Sequence, residues 1–271
     1  SAVYALSSKS WEPRRALQKL YDEQIIRVEG DDPRRIYFVP PAFRRVIYRQ
    51  LSKRVRRKQH TRAAEYYRAK LESDPAEMDR SDQLRLSEHL RFAGDVEGCL
   101  DVLDNLLDEA LSAFEYEFAE SLLRRSLDLP GEPIETRRRV DSQLQLGRVL
   151  RALGRPHEAI DIVTKLTRRD DLPGDLEYEA RLELADLWLD EEDPMLVEKA
   201  VEKVVEELRS TAETQLQTGH LVRALHLLGE VYEKQNKLMK AENSLREAIE
   251  LGESAELSLD DDSRLARVWG A

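Results

Sequence analysis

Reactive side chains in this 271-residue sequence comprise five histidines, one cysteine and 54 carboxylates, and their spacing decides what they can do. The histidines are His60, His89, His157, His220 and His226. None sits in a His-Glu-x-x-His pair, and none shares zinc-ligand spacing with Cys99. His220 and His226 are six residues apart, which places them on opposite sides of a helix. The run Asp190-Glu191-Glu192-Asp193 lacks the alternate ligands and central glycine of a calcium loop and reads as a solvated charge run. No Gly-x-Ser-x-Gly elbow and no Gly-x-x-x-x-Gly-Lys-Ser/Thr phosphate loop occur. These patterns predict no catalytic residue, no metal site and no cofactor: the chain is not expected to be an enzyme.

Charge carries the next signal. Residues 33–64 hold eleven Lys/Arg and no Asp or Glu, while residues 65–271 hold 27 basic against 48 acidic side chains in a chain of net charge −11. The candidate basic patch is Arg44, Arg45, Arg49, Lys53, Arg54, Arg56, Arg57 and Lys58, within FVPPAFRRVIYRQLSKRVRRKQH (38–60). Three readings stay open for it: docking onto protein, nucleic-acid phosphates, or a solvated face. The basic residues surround their helix instead of lining one stripe, and the acidic remainder repels nucleic acid, so protein docking, within the polypeptide or with a partner, is favoured over DNA. One cysteine fits a reducing, cytoplasmic setting. No apolar run approaches the roughly 18 residues of a membrane span, so no membrane role is expected. The first residue is Ser1, and the sequence is expected to be a piece of a longer protein.

The elements behind these residues are mostly helical, as few aromatics and 11 glycines against abundant Leu, Ala, Glu and Arg imply. LGRVLRALGRPHEAIDIVTKL (146–166) aligns with LGEVYEKQNKLMKAENSLREA (228–248): Leu146, Gly147 and Leu150 answer Leu228, Gly229 and Tyr232, and Ala159 and Val163 answer Ala241 and Leu245. LELADLW (182–188) supplies an altered copy, with Ala200 expected at the small-residue position three places late. LSEHLRFAGDVEGCLDVL (86–103) repeats the skeleton with Cys99 as a buried packing residue, and EYEFAESLLRRSLDL (115–129) adds a helix stopped by Pro130-Gly131. The pattern resembles the tetratricopeptide repeat, in which small residues let two helices of a hairpin approach while large ones fill the gaps between hairpins.

The front differs. WEPRRALQKLYDEQII (11–26) reads as an amphipathic helix, RVEGDDPRRIYFV (27–39) as two strands around a turn at Gly30–Pro33, and residues 40–72 as helix after Pro40-Pro41. We therefore expect an all-α tetratricopeptide-like solenoid of helical hairpins over 80–251. A small winged-helix domain with a short β-hairpin should precede it over 1–72. An acidic tail with a short terminal helix at Trp269 should follow over 252–271. The order of these segments resembles the winged-helix plus tetratricopeptide arm of STAND-type signalling ATPases, which include bacterial ATP-dependent transcriptional regulators. That resemblance implies a non-enzymatic regulatory and protein-interaction arm whose partner is the ATPase domain or a separate peptide or protein. The alternative is a DNA-binding transcription regulator using residues 11–62. Where the family often carries histidine, Pro40 stands in Phe38-Val39-Pro40-Pro41-Ala42, which puts nucleotide sensing there in doubt. His60 matches a recurrent family histidine and is read as helix packing.

Within the repeats, the first helix of each hairpin is expected to line a concave face. The candidate partner-binding groove is Asp141, Arg148, Arg151, Glu179, Asp186, Asp190, Arg223, His226, Glu230 and Glu233, with Leu144, Ala152, Leu182, Leu189 and Lys234 at the same frame positions. The Lys/Asn set that clamps a chaperone's terminal carboxylate is not reproduced; the mixed charge predicts a mixed-charge or basic partner.

Overall fold

The computed structural model describes residues 13–28, 36–39, 42–73, 78–129, 136–172, 174–191, 194–211 and 214–254. The Gly30–Pro33 turn, Pro40-Pro41, Pro130-Gly131, Glu192-Asp193 and the tail with Trp269 lie outside the described residues. Among those described the architecture is all-α, with one two-stranded antiparallel sheet near its start. The chain divides into two compact units, Ser1–Phe114 with Asp128–Ile134, and Glu115–Leu127 with Glu135–Ala271.

In the first unit, α1 (Pro13–Asp22) leads into β1 (Ile26–Val28), which pairs with β2 (Ile36–Phe38) in the register Ile26 to Phe38 and Val28 to Ile36. Two helices follow, α2 (Ala42–Gln50) and α3 (Lys53–Ser73). The single helix expected over 40–72 is broken at Leu51-Ser52, where the Ser52 hydroxyl accepts from the Val55 amide 3.3 Å away and starts α3 afresh. Next, α3 lies against α4 (Arg80–Ala93), burying Ala63 and Ala64, and α4 against α5 (Val96–Ser112). Asp79 and Asp95 cap α4 and α5, their carboxylates accepting the amides of Asp82 and Gly98.

The second unit stacks α6 (Tyr116–Leu127), α7 (Thr136–Ala152), α8 (Pro156–Thr167), α9 (Gly174–Glu191), α10 (Pro194–Thr211), α11 (Gln215–Lys234) and α12 (Leu238–Ser254), each against the next. Helix α9 also neighbours both α7 and α11, as first helices of successive hairpins.

The repeat has a backbone signature. Left-handed residues occur at Gln24, ahead of β1, and within the hairpins at Gly94, Phe114, Gly154 and Asn236. Each of those in the hairpins lies five residues before a buried small side chain: Cys99, Ala119, Ala159 and Ala241. Around three of these turns the following amide closes on the large residue five places earlier: Asp95 to Leu90, Arg155 to Leu150 and Lys237 to Tyr232. That is the closure of a helix ending in a left-handed residue, for which glycine carries no Cβ penalty. Five residues on, the second helix presents its small side chain to the first. Gly147 faces Val163 and Gly229 faces Leu245, so close that an added Cβ would lie 3.0 and 2.7 Å from their side chains. In the altered copy, Val197 rather than Ala200 occupies this place. Val197 is fully buried twelve residues after Ala185, and Ala200 is only half-buried. Twelve is the Gly147–Ala159 interval, so the register holds and only the side chain grows.

Candidate functional site

The first helices of the second unit bring five of the ten candidate groove residues, Arg148, Arg151, Glu179, Asp186 and Arg223, into one ladder. Arg148 on α7 reaches across to α9, with Nη2 3.3 Å from Glu179 and 2.7 Å from Glu183. From the other side, Arg223 on α11 places Nη2 2.8 Å from the same Glu183 oxygen. Glu183 is thus the hub, its side chain only 2% exposed. Burial alone would push its carboxyl up; Arg148 and Arg223 outweigh burial and hold it below the usual carboxylate range. Burial likewise opposes the charge on Arg148, and Glu183 and Glu179 restore it. Two cations and two carboxylates cancel, which is what makes such burial tolerable. A second rung joins Arg151 to Asp186 at 2.9 Å, and a third joins Arg137 to Asp175 at 2.6 Å.

Farther along α11, His226 Nδ1 lies 3.9 Å from Glu230, whose carboxyl is pushed up by burial despite His226. Glu233 is exposed, Asp141 half-buried, and the Lys234 amine donates to the Leu189 carbonyl at 2.7 Å. Asp190 falls on α9, with its side chain outside the described residues. Leu144, Leu182 and Leu189 do not line a groove. They are buried in the core, because the frame position that faces outward on one helix faces the next hairpin on another.

Glu183 was missed by the sequence reading. Its signal was faint: a carboxylate one turn from Glu179, between Leu182 and Leu184, where the apolar period marks a core face. Only the arginines of two other helices make it a hub.

The basic residues of the first unit spread over α2 and the start of α3. Arg44, Arg45, Arg49, Lys53, Arg54, Arg57 and Lys58 are exposed, and Arg56 is half-buried. Arg56 and Arg57 are used within the fold. Arg56 lies over the Tyr48 ring at 5.2 Å, and Arg57 Nε donates to the Ala93 carbonyl at 2.7 Å, at the C-terminal end of α4 where a cation is favoured. His60 is a packing residue with polar ties. Its Nε2 is 2.9 Å from the Tyr48 hydroxyl, its Nδ1 is 3.0 Å from Nδ1 of His89, and its ring lies against Phe92 at 4.8 Å. Cys99 is buried, and burial pushes its thiol up to about 11, which keeps it protonated and unreactive.

Residues 222–253, within α11 and α12, match a family model described as a tetratricopeptide repeat. No curated protein matches the chain. Among solved structures, it is similar to BtubC (BKLC) from P. vanneervenii, at 14% identity over 77% of this chain and 94% of that one, with a TM-score of 0.49. It is also similar to YrrB, described as a TPR protein with an unusual peptide-binding site, at 16% identity over 69% and 93% of the two chains, with a TM-score of 0.39. A putative kinesin light chain from Podosopora anserina, with nearly identical TPR-like repeats, is similar at 16% identity over 76% and 94%, with a TM-score of 0.36. The repeat is of a protein-interaction kind, and no catalytic family is indicated. Among the described residues, no helix is long and apolar enough to cross a membrane, and no group of three or more His, Cys, Asp or Glu is placed to hold a metal ion.

Proposed function

We propose that the chain is a non-enzymatic regulatory and protein-interaction arm of a larger cytoplasmic signalling or transcription-regulating ATPase. Its partner is the ATPase domain of the same polypeptide or a separate peptide or protein ligand. The observation that carries this reading is the ladder Arg148–Glu183–Arg223, which clamps α7, α9 and α11 side by side. A clamped row of first helices is a preorganised surface, and preorganisation lowers the cost of binding an extended partner. The order helix, strand pair, helices and hairpins supports the arm of a STAND-type ATPase, with 1–72 as its winged helix.

The test is the full reading frame. ATP hydrolysis should be measured for the whole protein and for the protein lacking residues 1–271. A change of several-fold in the basal rate is expected. An equal rate, or a reading frame without a phosphate loop, would sink the ATPase arm.

A second reading, DNA binding through residues 11–62, is favoured by one observation: seven exposed Arg and Lys side chains on α2 and the first turns of α3. It is tested by the salt series below.

A further inference from the structure

Helix α2 carries its apolar face outward. At about 100° per residue, Phe43, Val46 and Ile47 fall within one arc of about 100°, the i, i+3, i+4 stripe by which a helix docks on a neighbour. Their relative exposures are 44%, 50% and 44%, and α2 has no buried residue. Tyr48 points about 150° away from that stripe. It is the anchor, with its hydroxyl on His60 of α3. The helix is therefore held by its back while its apolar front meets solvent. Val55, on the first turn of α3, is also exposed.

The flanks of the stripe are basic, with Arg44 on one side and Arg49 on the other, each about 110° from its centre; Arg45 lies toward the back, and Lys53 and Arg54 beyond. Residues 33–64 contain no acidic side chain that would neutralise them locally. An apolar stripe bordered by cations selects a partner with the converse pattern. We propose that α2 docks an acidic amphipathic helix of a partner protein. The partner's aliphatic stripe packs on Phe43, Val46 and Ile47, and its flanking carboxylates meet Arg44 and Arg49. This deepens, and rests on, the reading of the chain as a protein-interaction arm.

Two other polyanions fit less well. Nucleic-acid phosphates would engage the arginines and leave the aliphatic stripe unused. An anionic bilayer would take both features, but a nine-residue helix with three large apolar side chains buries little area at a membrane surface.

The test uses the whole chain and a labelled synthetic peptide of about five helical turns, with Leu at i, i+3, i+4 and i+7 and Glu elsewhere. Controls are a peptide of identical composition with the Leu order scrambled, a phosphatidylserine vesicle, and a duplex DNA. Anisotropy at about 150 mM salt reads binding. The periodic peptide should bind at least about tenfold tighter than the scrambled one. Val46→Glu or Ile47→Glu should lose about tenfold or more, the size expected for a side chain central to an interface. Arg44→Glu with Arg49→Glu should weaken binding and flatten its salt dependence. Amide exchange should show protection of 42–50 on peptide addition, a readout unaffected by any folding defect of the variants.

Equal binding of the two peptides would mean attraction by charge alone and overturn the proposal. So would peptide binding unaffected by Val46→Glu, which would place the site elsewhere and leave the interaction-arm reading standing. Vesicle or duplex binding tighter than peptide binding, and lost in Ile47→Glu, would assign the face to a membrane or to nucleic acid instead.

Discussion

His60 and His89 share one Nδ1 to Nδ1 hydrogen bond, in which one ring must donate and the other accept. One added proton can be accommodated at this contact; a second would set two imidazolium rings against each other. Both rings titrate below the ordinary value of 6.5: burial is the first cause, and for His60 the neighbouring His89, Arg44 and Arg56 add to it. Arg44 and Arg85 act likewise on His89, and Glu88 opposes in both cases. Because the folded state binds these protons more weakly than the unfolded chain, the sign is fixed. Stability is unaffected by this pair well above pH 6.5 and falls as the pH drops below that value. The melting temperature should decline between about pH 7 and 5.5, before carboxylates contribute, and the decline should shrink in a His60→Gln/His89→Gln variant. Parallel melting curves for wild type and variant across that window would show that the pair does not control acid sensitivity. Glu183 makes the complementary case. Glu183→Leu leaves Arg148 and Arg223 facing an apolar group, and breaking a buried pair costs about 3–5 kcal/mol. Both arginines keep 20% side-chain exposure, so about 3 kcal/mol is expected by urea denaturation. A loss under about 1 kcal/mol would mean that water replaces the carboxylate and the hub adds little. At this scale the sequence showed Arg148, Glu179 and Arg223 as charged positions of one frame. It did not show that they meet, because the partner of each lies 31 to 40 residues away on another helix.

Elements were more legible, because their rules are local. The interval of five residues from a left-handed turn residue to a buried small one repeats in sequence, and Gly94, Gly154, Cys99, Ala159 and Ala241 are visible without coordinates. Asn236 and Phe114 take the same backbone conformation, which asparagine adopts readily and phenylalanine does not. Phe114 therefore gave no turn signal. The α2–α3 break at Leu51-Ser52 was hidden for a like reason: it contains neither glycine nor proline. Packing at the two helical glycines gives a graded test. Gly→Ala inside a helix gains up to about 1 kcal/mol of propensity, while overpacking costs about 1–3 kcal/mol. At Gly147 the added methyl meets one Val163 methyl at 3.0 Å, so the terms nearly cancel and little change is expected. At Gly229 it would sit 2.7 Å from both Cγ and Cδ2 of Leu245, and Cγ cannot swing away. Gly229→Ala should therefore be the more destabilising substitution, net by about 1–2 kcal/mol, in paired thermal melts. The reverse order would place the close approach of the two helices elsewhere.

For the whole molecule, the question is which polyanion or acidic surface meets the cationic residues of 33–64. The chain carries net −11 and residues 65–271 carry 48 acidic side chains, so a duplex approaching the arginines does so in a repulsive average field. Screening over about 8 Å at 0.15 M salt weakens that repulsion. If α2 and α3 bind phosphates, each neutralised phosphate contributes about −0.9 to the slope of log affinity against log salt, and six of them about −5. That affinity would be shared by every duplex of equal length, because phosphate contacts position a protein without reading sequence. We expect the intact chain to bind duplex DNA weakly near 150 mM salt, with unrelated sequences of one length indistinguishable. Arg45→Glu, Arg49→Glu and Arg54→Glu together should flatten the slope by about three. Arg56 stacks on Tyr48 and Arg57, though exposed, caps α4, so charge reversal at those two would confound binding with folding. A truncation at residue 72 is unsuitable for the same reason, since it removes the α4 partner of α3 and leaves His60 without His89. Titrations of two unrelated duplexes across a salt series decide the matter. Discrimination between them of about a hundredfold or more at 150 mM, lost in the triple charge reversal, would make base reading the function of residues 11–62 and displace the protein-interaction arm.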